Sequence, residues 1–421
     1  MIRKDLIRNI RVRCFCTSSN FTERAVDWDY FSNSANLKEI SSNVILRKVP
    51  CELQDALKEL QQLHRSDPIK AAELKKNITP KLFWFPNAMH PRVARNRSEE
   101  PVVLHKMGSK TAFTYFPSTF DNLTKRLNLL RTKNLGQMCG SKSYFLKNDL
   151  ALLEQSLIRY AVEKLTKKGF MLMSVPDILG SKCFENCGMR TESKHSQVYH
   201  IHNEWAPKVC LSGTSEMALA TYFSGKTLDV NELPLKICAV SRCFRAEANK
   251  HQKEKGIFRV HYFNKVEMFS VTPNESSNES EEMLNYFVDI QRELYSELGL
   301  HFKVLEMPPC ELGLPAYHKI DIEAWIPTQK LYGEISSTSN CTDYQSRRLN
   351  ITYSSPGGNQ SFCHTVNGTA CAIPRLLITI LENFQNLDGS ITIPIPLRKF
   401  MKKNVINEKF KEVSFCIRPI P

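Results

Sequence analysis

The 421-residue sequence has no uninterrupted apolar stretch near the roughly 18 residues that a membrane-spanning helix needs, so no membrane partner is expected. It has no GxxxxGK[ST] loop, no GxGxxG following a strand, no HExxH pair and no internal repeat. Whatever handles phosphate here does so without those glycine-rich devices. There are 14 cysteines, but they are scattered without a paired framework, which excludes a disulfide scaffold and fits reduced thiols. Cys183 and Cys187, four apart with His195, His200 and His202 downstream, are the arrangement nearest to a zinc set, and no second close cysteine pair completes it. Nothing in the order of residues calls for a Ser-His-Asp nucleophile.

What is present is basic. The net charge is +14, an excess that draws phosphate-rich partners through counterion release and steering. Arg3, Lys4, Arg8, Arg11 and Arg13 face the single acid Asp5 in the first 20 residues. Apolar Ile2, Leu6, Ile7, Ile10 and Val12 alternate with them, and Thr17, Ser18 and Ser19 follow. Basic, amphipathic and hydroxyl-bearing, residues 1–20 have the composition of a mitochondrial transit peptide, with a disordered basic arm as the alternative. The rest of the chain, 42% apolar and 24% charged overall, is ordinary globular sequence long enough for two or three domains.

Residues 21 to 95 read as an N-terminal helical arm. Leu53, Leu57, Leu60 and Leu63 make one apolar stripe. Asp67-Pro68 breaks it, and Ile69, Ala72 and Leu74 open a shorter helix expected to end near Pro80. Residues 96–421 form the second domain. Asn148 is expected to cap a helix whose apolar face is Leu150, Leu153, Leu157, Tyr160, Ala161 and Leu165, with Gly169 as its stop. A strand over 170–175 then runs into Pro176. Strands are expected at 235–244, 259–271 and 349–353, and helices at 281–298 and 376–385. Long adjacent strands with helices set apart give an α+β fold around an antiparallel sheet.

Residues 237–268 carry the most chemistry. The two-residue period of the second strand puts Arg259, His261, Phe263, Lys265 and Glu267 on one face, and Cys243, Arg245 and Glu247 share a face of the first. Paired antiparallel, these strands crowd arginines, an aromatic ring and carboxylates onto one patch. Arginine grips phosphate bidentately, a phenyl ring stacks on a base, and a carboxylate receives hydroxyls or an ammonium. A solvated sheet face with surface ion pairs is the plainer alternative.

The string CFRAEA…GIFRVHYFNKVEMF resembles motif 2 of the class II aminoacyl-tRNA synthetases, in the form typical of the seryl-tRNA synthetases. The helix, strand and Pro176 resemble motif 1, which implies a homodimer. TVNGTACAIPRLLITILENFQ is similar to motif 3, with Arg375 at the place of its arginine. GTSE at 213–216, GEISSTSNCTDYQSRR at 333–348 and the closing NLDGSITIPIPL are similar to blocks of the serine enzymes. The resemblance spans residues 80 to 400 and implies a class II antiparallel-sheet catalytic domain with a coiled-coil-like arm. It implies activation of L-serine with ATP and Mg²⁺, followed by transfer to mitochondrial tRNA-Ser in the matrix. An inactive, tRNA-binding synthetase relative is the alternative.

By the same resemblance, Arg245, Arg259 and Arg375 are catalytic. Arg245, Glu247, Val260, Phe263, Glu334, Ser337 and Arg375 contact ATP, with Glu334 and Ser337 at the Mg²⁺ position. Thr214, Glu216, Glu267 and Thr369 form the serine pocket, where Glu267 can take either the ammonium or the hydroxyl. His261 reads as a packing residue rather than a base. Three departures stand out. NGTACAIPR at 367–375 has Ala370 and Pro374 where the family commonly has glycines, a variant resembling the animal mitochondrial branch; Asn249 replaces another glycine; and the arm's second helix is short. Arg398, Lys399, Lys402 and Lys403 are the basic surface expected to compensate in tRNA binding.

Overall fold

The computed structural model describes residues 25–140, 142–192, 196–202, 208–247 and 256–407. The basic leader, His195, Asn249 and most of the loop between the two motif 2 strands lie outside these residues. Among the described residues, no helix is long and apolar enough to cross a membrane.

The N-terminal region holds helices α1 (Leu37–Leu46), α2 (Cys51–Leu63), α3 (Pro68–Leu82) and the short α4 (Pro91–Arg95). Leu53, Leu57 and Leu60 of α2 are buried as the stripe predicts. In α3 the expected face is corrected. Ile69 is 86% exposed, whereas Ile78 and Leu82 pack into the cluster with Leu53, Leu57 and Leu60. Asp67 caps α3 through the Ile69 and Lys70 N–H groups, with Pro68 in the first turn, where it costs no hydrogen bond. The helix also continues past Pro80, which stands within its last turn.

An eight-stranded sheet dominates the rest. Its strands are β1 (Val102–Met107), β2 (Met171–Met173), β3 (Leu235–Phe244), β4 (Tyr262–Thr272), β5 (Phe302–Glu306), β6 (His318–Ile326), β7 (Leu331–Thr342) and β8 (His364–Ala372). Their order is β1-β5-β6-β7-β8-β4-β3-β2, antiparallel throughout except for the parallel edge pair β2–β3. Helices α5 (Asn148–Lys167), α7 (Glu279–Glu297) and α9 (Ile373–Asn383) supply the core on one face; α6 (Glu216–Tyr222) and α8 (Tyr344–Leu349) belong to the other. Leu150, Leu153, Leu157 and Leu165 of α5 are fully buried, each contributing about 1.5–3 kcal/mol.

Boundary differences have local causes. Asn148 begins α5 with φ of +50° and makes no capping bond; its side chain turns to the Asn128 carbonyl instead. Gly169, at φ +81°, does end that region as expected. Arg259 and His261 precede β4 rather than lying in it, and 349–353 divides between the end of α8 and a short strand, Thr352–Ser354. Pro374 stands in the first turn of α9, where a proline is tolerated.

Candidate active site

β3 and β4 pair with Phe263 opposite Cys243 and Glu267 opposite Ala239, and β8 borders β4 on the other side. A bulge falls between Val266 and Glu267, skipping Ala370, so that Glu267 faces Thr369 directly. The face these strands present is hollowed into two joined cavities. The narrow one is lined by Arg245, Glu247, Phe258, Arg259, Val260, Phe263 and Arg375, among others. The wide one, about 680 Å³, takes in Thr214, Glu216, Glu267, Ser337, Asn367 and Lys319. Arg245, Lys265, Glu334 and Thr369 line both. Every residue expected at the site therefore lies on one of the two cavities.

In the narrow cavity the cations are already aimed. The Arg245 guanidinium lies 5.3 Å from the Phe263 ring centre, and its Nε donates to the Gly213 carbonyl at 3.4 Å. Arg259 sits 3.7 Å from Glu247. Arg375 donates through Nη1 to the Glu334 carbonyl at 3.0 Å and lies over Phe258, 4.8 Å from its ring centre. Burial alone would raise the Glu334 carboxyl, but Arg375, Lys319 and Arg245 together hold it below its ordinary value. Val260 is buried in the wall and supplies apolar surface only. His261 bonds the Arg245 carbonyl at 2.9 Å and the Tyr199 hydroxyl at 2.8 Å, a packing role as its position suggests.

The wide cavity ends in a polar floor. Lys265, 6% exposed, donates to Thr214 Oγ1 at 2.7 Å and pairs with Glu267 Oε2 at 2.5 Å. Thr369 donates to the same Glu267 oxygen at 3.2 Å. Glu216 accepts from Gln345 at 2.7 Å and Asn367 at 3.0 Å. Burial and the neighbouring Glu267 charge push its carboxyl up to about 7, against the lowering from Gln345, Lys265 and Arg245. One edge of this side chain still meets the cavity, so an incoming cation can reach it. The floor thus offers carboxylates and hydroxyls to a small molecule bearing both an ammonium and a hydroxyl.

Sequence reasoning left several participants unassigned. Lys265 was on the right face but has no role in the pattern alone. Gln345 and Asn367 stand inside strings that resemble the serine enzymes, yet only the fold brings them to Glu216. Asp321, on β6 opposite Ser337, keeps one buried carboxylate oxygen without a partner and pairs the other with Lys319 at 2.9 Å. Behind the site, Gln291 of α7 donates to the Thr369 carbonyl at 2.8 Å and Tyr295 to that of Ala370 at 2.9 Å. Ala370 itself is fully buried, so the alanine in place of a family glycine is absorbed by the core, not by the cavity.

These two cavities, the motif order and the sheet agree with what known proteins show. The family description "tRNA synthetase class II core domain (G, H, P, S and T)" matches residues 199–384. A serine–tRNA ligase of Borrelia garinii is 40% identical over 320 residues, covering 75% of this chain and 74% of its own length. The chain belongs to the seryl-tRNA synthetases. Among class II relatives, the mitochondrial serine–tRNA ligase of Bos taurus is 42% identical over 332 residues, which is 79% of this chain and 64% of the bovine one. The chain thus spans less than two thirds of that mammalian relative's length. The crystal structure of a Pyrococcus horikoshii seryl-tRNA synthetase complexed with ATP superposes with a TM-score of 0.79 at 28% identity, over 91% of this chain and all of that one. A cytoplasmic serine–tRNA ligase of Naegleria fowleri in complex with AMP gives 0.74 at 31% identity, over 84% of this chain and 76% of that one.

Two further clusters of cysteine, histidine and carboxylate side chains stand near the cavities or at the N-terminal junction. At Cys183 and Cys187, the arrangement nearest to a zinc set, Cys187 is buried and His200 bonds the Thr191 carbonyl and Cys210. His90, Glu281 and His318 gather at the junction of the N-terminal region and the sheet. The two rings stack 4.6 Å apart and 9° from parallel, so their lone pairs do not converge on one ion. Both His318 nitrogens are already bonded, to Glu281 at 2.6 Å and Glu306 at 2.9 Å. This cluster is a clamp, not a metal centre.

Proposed function

We propose that this chain activates L-serine with ATP to seryl-adenylate and transfers the seryl group to mitochondrial tRNA-Ser. The observation that carries the reading is the pair of cavities joined at Arg245, Lys265, Glu334 and Thr369. A nucleotide in the narrow cavity and an amino acid in the wide one meet only at that junction, where the reacting carboxylate and α-phosphate must come together.

In the narrow cavity Phe263 and Arg375 hold the adenine between a ring and a guanidinium plane, while Arg245 takes the α-phosphate and Arg259 the terminal phosphates. Glu247 receives polar groups of the nucleotide, and Val260 closes the wall. In the wide cavity the serine ammonium and hydroxyl find Glu216, Glu267, Thr214 and Thr369. The serine carboxylate attacks the α-phosphorus in line and pyrophosphate leaves; the ribose hydroxyl at the tRNA terminus then displaces AMP. Positioning and fixed charge, chiefly from Arg245, Arg259 and Arg375, lower both barriers. Glu334 and Ser337 both line the wide cavity and offer oxygen ligands of the kind Mg²⁺ takes, so they would hold the ion there. An ion held there would supply positive charge against the phosphates.

The protein works as a homodimer in the mitochondrial matrix. Edge strand β2 presents Met171 and Leu172 about half exposed, an apolar edge that a second copy can cover. The bovine relative named above is mitochondrial, and residues 1–20 have a leader's composition. Residues 21–95 act as the tRNA-binding arm and 96–421 as the catalytic domain. At the C-terminal end Lys399 and Lys403 pair with Glu163 and Asp149, so the basic surface expected there is partly neutralised and the arm carries more of tRNA recognition.

The test is amino-acid-dependent ATP–pyrophosphate exchange on protein lacking residues 1–20, with serine beside threonine, alanine and glycine. Exchange with serine alone supports the reading. No exchange with any of them, from folded protein, favours a non-catalytic tRNA-binding role.

A further inference from the structure

Arg47 ends α1, yet its charge is spent on another part of the molecule. Its Nη1 donates to the Gly313 carbonyl at 3.0 Å. Its Nη2 donates to the carbonyls of Asn87 at 3.0 Å, Ala88 at 3.2 Å and Ala316 at 2.7 Å. These acceptors belong to two separate segments, the connection leaving the N-terminal helices and the loop at 313–316. The planar fork of a guanidinium reaches both at once, which a lysine ammonium on its single stem does less well. The side chain is buried, and burial brings its pKa down to about 9, so it stays charged at neutral pH.

The two segments are also laced directly. Asn87 N–H donates to the Leu314 carbonyl at 2.8 Å, and His90 N–H to that of Tyr317 at 2.9 Å. The Asn87 side chain reaches the carbonyls of Pro315 at 2.9 Å and Cys341 at 2.8 Å. On its opposite side, the loop from Gly313 to Ala316 is a wall of the wide cavity. The loop is close-packed against the neighbouring wall, where a methyl group at Gly188 would lie 3.0 Å from Pro315 Cδ. Arg47 and Asn87 thus bond directly to the backbone of the cavity wall.

Which step feels the wall follows from what it does not touch. No residue of 313–316 lines the narrow cavity, and the floor residues Thr214, Glu216, Glu267 and Thr369 come from other elements. A volume of about 680 Å³ is ample for a drug-sized ligand, far beyond one serine, leaving room for a second large group beside the aminoacyl moiety. Resting on the synthetase reading above, we propose that Arg47 is a positioning residue that sets the 313–316 wall for the incoming 3′-terminal nucleotide of tRNA. It thereby couples the N-terminal helical region to the transfer step and leaves adenylation alone.

The experiment compares full-length wild type with Arg47→Lys, Arg47→Met and Asn43→Ala. The last is a control for loosening the junction, since Asn43 donates only to the Asn87 carbonyl and not to the wall. Serine-dependent pyrophosphate exchange and single-turnover transfer from preformed seryl-adenylate to tRNA-Ser are measured side by side, with thermal melting of each variant. In the lysine variant exchange should stay within about threefold of wild type while transfer slows about tenfold to a hundredfold, the scale of a small misplacement near reacting atoms. Asn43→Ala should lower the melting temperature without separating the two steps. Exchange and transfer falling together in the lysine variant, or transfer staying at the wild-type rate, overturns the inference. Wild-type protein that exchanges nothing overturns instead the reading on which it rests.

Discussion

Glu267 and Thr369 stand directly across β4 and β8, with the Thr369 hydroxyl 3.2 Å from Glu267 Oε2. The bulge that skips Ala370 creates the pairing, and Lys265 holds the same carboxylate oxygen from the side. A hydroxyl entering the pocket meets acceptors and donors that otherwise bond one another.

Thr369→Val keeps the shape and removes that hydroxyl. Leaving polar partners unmatched in a buried pocket costs about 1–3 kcal/mol. The KM for serine in pyrophosphate exchange should rise roughly tenfold to a hundredfold, with the KM for ATP nearly unchanged. An equal rise in both would move Thr369 out of the serine pocket.

Burial and the Glu267 charge oppose ionisation of Glu216 and push its carboxyl up to about 7. A bound ammonium favours the ionised form, so serine binding should tighten as pH rises and release a proton near neutrality. From pH 6 to pH 8 the KM for serine should fall about tenfold. Glu216→Gln should flatten that profile; a slope that survives the substitution would assign the titration to another group.

A methyl group at Gly333 would lie 2.9 Å from the Phe258 ring and from Ile326 Cδ1. Phe258 is the ring beneath Arg375, so the push is passed to the narrow cavity proposed to take the nucleotide. Gly333→Ala should raise the KM for ATP several-fold, on the order of 1 kcal/mol of strain, and leave the KM for serine alone. Matching increases for the two substrates would mean a general loss of fold.

His318 lies between Glu281 and Glu306, and Arg92 of α4 reaches Glu306 as well. Burial lowers the imidazole pKa, but the two carboxylates more than reverse this and raise it above 6.5. Burial likewise raises Glu306, yet His318 and Arg92 bring it to about 2. The His318 contribution is complete below 6.5 and is lost as pH rises through its higher folded value. The Glu306 contribution is present above 4.5 and is lost as pH falls toward 2. His318→Ala should therefore cost about 3 kcal/mol in urea unfolding at pH 6 and less at pH 9. An equal loss at both would show that packing, not charge, holds the clamp.

The sequence by itself determined the architecture and pointed to residues that the fold brings to the two cavities. Period-two patterning placed Phe263, Lys265 and Glu267 on one face of a strand, and the apolar stripe of α5 marked the covered side of the sheet. Both follow from local geometry, because side-chain direction repeats every two residues in a strand and every 3.6 in a helix. Motif order then named the arginines and acids at 213–216, 245–267, 334–337 and 367–375.

Only tertiary structure decided how these pieces meet. The bulge at Ala370 depends on how two distant strands register, and a one-residue slip would turn Thr369 away from Glu267. Gln345 and Asn367 reach Glu216 from segments 129 and 151 residues away. Exposed Ile69 and buried Ile78 show the same limit in α3: periodicity proposes a face, but the partner helix selects which turn is covered. Arg47 is the clearest case. In the sequence it is one basic residue among many, and nothing local says that its guanidinium closes on carbonyls 266 and 269 residues onward. A charge is buried only where the fold can surround it with dipoles, and that surrounding exists only once the chain has closed on itself.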